Sequence, residues 1–180
     1  MLQQLLNHLA LAEEGRRLIT IDGPAGSGKT TLSDQLAGLI KSRGISVEIV
    51  HLDDVYDGWE KALTSSLSDN LREITIGFLQ GEVTYKTFDW SLSRFTSTKT
   101  FSSPRVLIVE GVGSGQSAIR ERVDLAIWIE VDATLAFERV INRDGEEIRP
   151  QMEQWVIAQN EHFLQENTRS AADYQLHGAP

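Results

Sequence analysis

The chain has 180 residues, 41% hydrophobic and 24% charged, with a formal net charge of −9 and no cysteine. That acidity disfavours a broad nucleic-acid or anionic-membrane surface, which needs clustered Lys and Arg, and the missing cysteine excludes disulfides and cysteine metal sites. No apolar run approaches the ~20 residues of a membrane span and the N-terminus, with Glu13-Glu14 and no basic region, does not read as a signal peptide, so the expectation is one cytoplasmic domain over 1–180.

Apolar residues at 2, 5, 6, 9 and 12 predict a helix over 2–14, packed on the domain edge and stopped at Gly15. The core is expected over 17–180. Leu18-Ile19-Thr20-Ile21 predicts a short buried strand. Gly23 to Thr30 then fits G-x-x-x-x-G-K-[ST], whose work is to wrap a polyphosphate. Its glycines let the backbone turn successive N–H groups toward anionic oxygens, and the helix that follows adds its positive end. Gly23, Ala25, Gly26, Ser27, Gly28, Lys29, Thr30 and Thr31 are the expected nucleotide-binding residues. Lys29 would supply a charge to the β- and γ-phosphates of ATP, and the Thr30 hydroxyl would help hold Mg²⁺.

A helix is expected from Thr31 to Lys41, closed at Gly44, then a strand over 45–52 ending at Asp53-Asp54. A carboxylate there can take the proton of an attacking hydroxyl or orient Mg²⁺. Adjacent residues on a strand end point in different directions, so one of the two is expected as base. A helix is predicted over about 69–80. Residues 85–101, rich in Ser, Thr and aromatics, have no clear period and read as irregular, with room for a β-hairpin. Tyr85, Phe88, Trp90 and Phe95 are open to two readings, as stacking surfaces for a base or as core and loop anchors. Arg94 is a candidate for holding an anionic group of the acceptor.

Val106 to Val109 is an apolar strand ending in Glu110, the arrangement that aims one carboxylate at a metal's water shell. Thr30, Asp53 and Glu110 are therefore the candidate metal residues. A short helix over 116–122, a strand over 124–131, a helix capped by Asp132 and running to about 142, a helix from Pro150 to about 167 and a strand over 172–177 complete the chain. Arg139 and Arg143 are four apart and share a helix face, where two guanidiniums could neutralise charge on a moving phosphoryl group; solvated surface arginines are the plainer alternative. Gly145 gives a candidate lid, about 139–150, a hinge. Strands alternating with helices predict an α/β fold, a P-loop NTPase three-layer α/β/α sandwich with a mainly parallel five-stranded sheet. In such sheets ligands bind beyond the carboxyl ends of the strands.

His51-Leu52-Asp53-Asp54-Val55-Tyr56 resembles the D-x-F-Y segment of uridine kinases and their phosphoribulokinase-like relatives, with Val55 in place of Phe. Thr87-Phe88-Asp89-Trp90 resembles their later Y-D-F segment, Val109-Glu110-Gly111-Val112 their E-G-hydrophobic strand end, and Arg139 with Arg143-Asp144 their lid. The resemblance, over roughly 17–145, implies a P-loop small-molecule kinase. In it Asp53, beside Lys29, Arg139 and Arg143, is catalytic, and Asp89 contacts the acceptor; Asp54, Tyr56 and Arg94 are further candidate acceptor residues. It implies ATP and Mg²⁺ as cofactors and a nucleoside as acceptor, and leaves a homodimer open. A kinase for a nucleotide, sugar acid or vitamin precursor is the nearest rival. A regulatory ATPase or nucleotide switch is the rival from another class, and the lack of an N-K-x-D stretch weakens a GTPase.

Overall fold

Alternating strands and helices build the sheet of a computed structural model that describes residues 2–9, 11 and 14–177. The strands are β1 (Arg17–Asp22), β2 (Val47–His51), β3 (Glu82–Asp89), β4 (Arg94–Ser102), β5 (Val106–Glu110), β6 (Leu125–Glu130) and β7 (Tyr174–His177). The helices are α1 (Leu2–His8), α2 (Lys29–Lys41), α3 (Gly58–Lys61), α4 (Ser65–Gln80), α5 (Ser117–Arg120), α6 (Ala133–Asp144), α7 (Arg149–Glu166) and α8 (Thr168–Ala171). Single 3₁₀ turns cover Leu52–Asp54 and Glu146–Ile148.

Five strands form one parallel sheet in the order β2-β5-β1-β6-β7. Side chains alternate across it, as the two-residue period of a strand requires. Leu107 and Val109 of β5 join Leu18, Leu67, Leu71, Phe78 and Trp155 on one face. Val106 and Ile108 join Ile19, Ile21, Leu32, Leu36 and Leu5 on the other. Both faces are covered, so all five residues of β5 are buried and its near-continuous apolar run is explained. The predicted three-layer α/β architecture is what forms. Among the described residues no helix is long and apolar enough to cross a membrane.

The register levels the strand ends that matter. Ile21 and His51 both pair with Glu110, and Asp22 pairs with Trp128. The loops after β1, β2 and β5 therefore leave the sheet at one height.

Several boundaries differ from expectation. The helix predicted over 2–14 is observed over Leu2–His8; Ala10, Ala12 and Glu13 lie outside the described residues, as do residues 178–180 of the expected core. Helix α4 starts at Ser65, four residues before the predicted Asp69. The stretch over 85–101, read as irregular with room for a β-hairpin, does form one: a regular antiparallel pair, β3 with β4, from Glu82↔Ser102 to Asp89↔Arg94. Its period was hidden twice. A register shift between Thr87 and Phe88 interrupts the alternation of β3, and β4 is mostly solvent-exposed, so it carries no apolar stripe.

Candidate functional site

Beyond the carboxyl ends of β1, β2 and β5 lies a cleft of about 720 Å³, within the usual range for small-molecule sites. One wall is the phosphate loop. Its position is fixed from below by Asp22, 2% exposed, whose carboxylate accepts from the backbone N–H of Gly23 at 2.7 Å, Gly113 at 2.9 Å and Gly115 at 3.0 Å. These bonds fasten the loop after β1 to the loop after β5. Burial nevertheless holds the Asp22 pKa above the ordinary carboxylate value. From the side, Gln159 of α7 accepts from the Ala25 N–H at 3.1 Å. Gln159 lies inside the helix expected from Pro150 to about 167, where no local pattern marks such a contact, so this anchor was missed.

Two loop glycines are demanded by space as well as by conformation. Gly26 has φ +78° and a Cβ there would lie 2.2 Å from the Ala136 carbonyl oxygen of α6; Gly23 has φ +143° and would meet the Ile129 carbonyl oxygen at 2.5 Å. The backbone thus runs closer to its neighbours than any side chain would allow.

Helix α2 starts at Lys29, just after Gly28. The Lys29 ammonium is buried and donates to the carbonyls of Gly23 at 2.9 Å and Pro24 at 2.8 Å, folding back over the loop. Burial lowers its pKa, and Glu110, Asp22 and Asp53 oppose that shift. The Thr30 hydroxyl donates to Glu110 Oε1 at 3.0 Å, and His51 Nδ1 lies 2.6 Å from the same oxygen. The hydrogen bond to Glu110 holds His51 above its usual pKa. Asp53, in the 3₁₀ turn after β2, faces Glu110, Lys29 and Arg143; its pKa is raised, by burial first and then by the Glu110 charge. Arg139 and Arg143 of α6 both line the cleft; their spacing of four puts them on one helix face. Arg143 also grips Asp144, Nε to Oδ1 at 2.7 Å and Nη2 to Oδ2 at 2.6 Å.

Three acceptor-side expectations change. Tyr56 lines the cleft, but it is 2% exposed and its hydroxyl donates to the Val112 carbonyl at 2.8 Å. It supplies a wall rather than a free hydroxyl. Asp89 does not line the cleft. Its Oδ1 accepts from Ser91 N at 3.0 Å, Ser91 Oγ at 2.6 Å and Leu92 N at 3.0 Å, so it caps the hairpin turn, and the Ser91 hydroxyl bond foremost lowers its pKa. Arg94, its partner across the hairpin, is exposed and likewise absent from the cleft. Instead the hairpin contributes Trp90, whose Nε1 donates to the Asp53 carbonyl at 2.9 Å. Asp54 does line the cleft, with Trp59, Met152 and Trp155.

The donor set suits Mg²⁺. Thr30 and Glu110 bring two hard oxygens together beside the loop, and Mg²⁺ is ordinarily held by one or two protein oxygens with phosphate and water completing the shell.

A family model described as AAA domain matches residues 19–163. The chain belongs to the AAA-domain family. The fold of this AAA domain recurs in a candidate uridine kinase from Bacillus stearothermophilus, at TM-score 0.70 and 21% identity over 97% of this chain and 95% of that one. It recurs also in a candidate fructose transport system kinase from Silicibacter sp. TM1040, at TM-score 0.75 and 21% identity over 97% and 96%. A curated relative, the lipoprotein-releasing system ATP-binding protein LolD 1 of Chlorobium chlorochromatii (strain CaD3), is 33% identical over 121 residues, 67% of this chain. The AAA domain described here spans 43% of that relative's length. The phosphate loop thus sits in a P-loop, kinase-like fold.

Proposed function

We propose that the chain is an ATP-dependent phosphotransferase that moves the γ-phosphoryl group of ATP to a hydroxyl of a small molecule, with a nucleoside as the first acceptor to test. One observation carries the reading: a phosphate loop, a paired hydroxyl and carboxylate, a second carboxylate from the turn after β2 and two arginines open into one cleft. An ATPase needs the loop and a placed water. It has no use for a further aromatic wall beside an aspartate.

In this reading the amides of 23–31 and Lys29 neutralise the β- and γ-phosphates. To do so the Lys29 ammonium leaves the Gly23 and Pro24 carbonyls. Thr30 and Glu110 would hold Mg²⁺, which when bound neutralises charge on the phosphate oxygens. Asp53 accepts the proton of the attacking hydroxyl, and its raised pKa suits a base that must return that proton. Arg139 and Arg143 stabilise charge on the equatorial oxygens, with residues 139–150 acting as a lid and the whole chain as one domain. The neighbours whose names refer to kinases support the phosphotransfer chemistry.

The test is ATP consumption with and without a panel of nucleosides, sugars and sugar acids. Stimulation by one compound is the expected result. Hydrolysis indifferent to every compound would favour the second reading, an ATPase or nucleotide switch, which the likeness to an ATP-binding protein of a lipoprotein-releasing system supports.

A further inference from the structure

Besides the phosphate loop and the two arginines, the cleft is lined by an unusual set of side chains. Trp59 and Trp90, 38% and 39% exposed, meet edge to face with centroids 5.3 Å apart. Trp59 meets Trp155 at 5.7 Å, Trp155 meets Tyr56 at 5.4 Å, and Phe88 supports Trp90 from behind at 5.1 Å. Met152 and Ile148 extend this apolar surface. The polar groups beside it are Asp53 and Asp54. Among the described residues, the cations that line the cleft are Lys29, in the phosphate loop, and Arg139 and Arg143 on α6; Arg143 is already doubly bonded to Asp144. Arg94, the residue that could have met an anionic acceptor, lies outside.

Resting on the phosphotransferase reading, we propose that this wall is the acceptor pocket, that it takes a hydroxyl compound with an apolar or ring face and no negative charge, and that Trp90 is its specificity and positioning residue. An indole surface holds flat rings and the C–H faces of sugars by contact area, and it favours cationic groups over anionic ones. A phosphomonoester or carboxylate there would face Asp53 and Asp54 without a cation of its own, and like charges brought together cost binding. Trp90 acts twice. Its ring closes the pocket against Trp59, and its N–H holds the carbonyl of Asp53. The turn that carries the base and the hairpin that walls the acceptor are thereby tied at one bond.

The test reads binding and turnover separately. Three of the four tryptophans line the pocket, so intrinsic fluorescence reports occupancy without catalysis. The probes are uridine against uridine 5′-monophosphate, and methyl glucoside against methyl glucuronide. At least one uncharged member is expected to quench, with its anionic counterpart weaker by about tenfold or more, roughly 1.4 kcal/mol. Quenching by none of the four, or equal or tighter binding of an anionic member, overturns the pocket. Phosphoryl transfer to an anionic member would overturn the pocket and leave the kinase standing. Quenching by an uncharged member with no transfer to any acceptor tried would leave the pocket standing and remove the kinase. Trp90→Phe keeps a ring and loses the N–H; with the preferred acceptor it is expected to lower kcat several-fold and leave KM within about twofold. Trp90→Ala is expected to raise KM as well. Equal effects of both variants on KM alone would remove the positioning role.

Discussion

The phosphate loop and the β3–β4 hairpin face the same cleft and are built in opposite ways. The loop works through main chain. Its glycines approach neighbouring carbonyls too closely for a Cβ, Asp22 gathers three amides beneath it and Gln159 pins it from α7. The hairpin works through side chains. Its second strand is mostly exposed, its turn is held by Asp89, and Trp90 reaches the cleft with one hydrogen bond to Asp53. A backbone cage can bind only what every nucleoside triphosphate shares. A side-chain wall can be rewritten at little cost to the fold, so the identity of the second compound belongs there.

The contrast can be tested by substitutions that should fall unequally on the two regions. The largest loss is expected for Asp53→Asn, which removes the base at the junction; transfer should fall by about 10²–10⁴, with ATP affinity by calorimetry largely unchanged. Unchanged turnover would take Asp53 out of the mechanism. Arg143→Ala should follow, lowering kcat by about 10³ if its guanidinium meets the moving phosphoryl group. A change confined to the KM for ATP would make it a binding residue only.

A smaller effect concerns stability. Burial and the Glu110 charge raise the Asp53 pKa in the folded chain, so the ionised form is disfavoured there. The stabilisation this gives is complete below the unfolded-state pKa and is lost as pH rises through the folded one. Asp53→Asn should therefore have a higher Tm than the parent at about pH 8, with the difference closing toward about pH 4. A lower Tm at about pH 8 would mean that attraction to Lys29 and Arg143 outweighs burial.

The smallest effects belong to the hairpin's outer face. Arg94→Ala should change kcat/KM less than twofold and stability within about 0.5 kcal/mol, as exposed sites do. Asp89→Ala should lower Tm slightly through the lost turn bonds, without a specific effect on the KM for the acceptor. A large KM effect in either would return the hairpin's polar residues to the site.

The same contrast decides what could be read in advance. The phosphate loop declares itself because its geometry demands particular residues at fixed spacing, and Glu110 because a doubly covered strand must be apolar up to its polar end. The order of the α/β elements follows from the same patterning. Asp22 and Gln159 were not visible, since a carboxylate gathering amides from two loops leaves no local pattern. The hairpin was obscured by its bulge and its exposed strand. Resemblance put Asp89 in the site while Trp90 stayed open between stacking surface and anchor, because a motif fixes chain position and a tight turn decides which of two neighbours reaches the cleft.

The most direct measurement follows the label of γ-labelled ATP in the presence of Mg²⁺ and a hydroxyl compound that quenches the tryptophans. The account predicts label on the organic acceptor, abolished in Asp53→Asn. Label found only as inorganic phosphate, at the same rate with and without the compound, would contradict it.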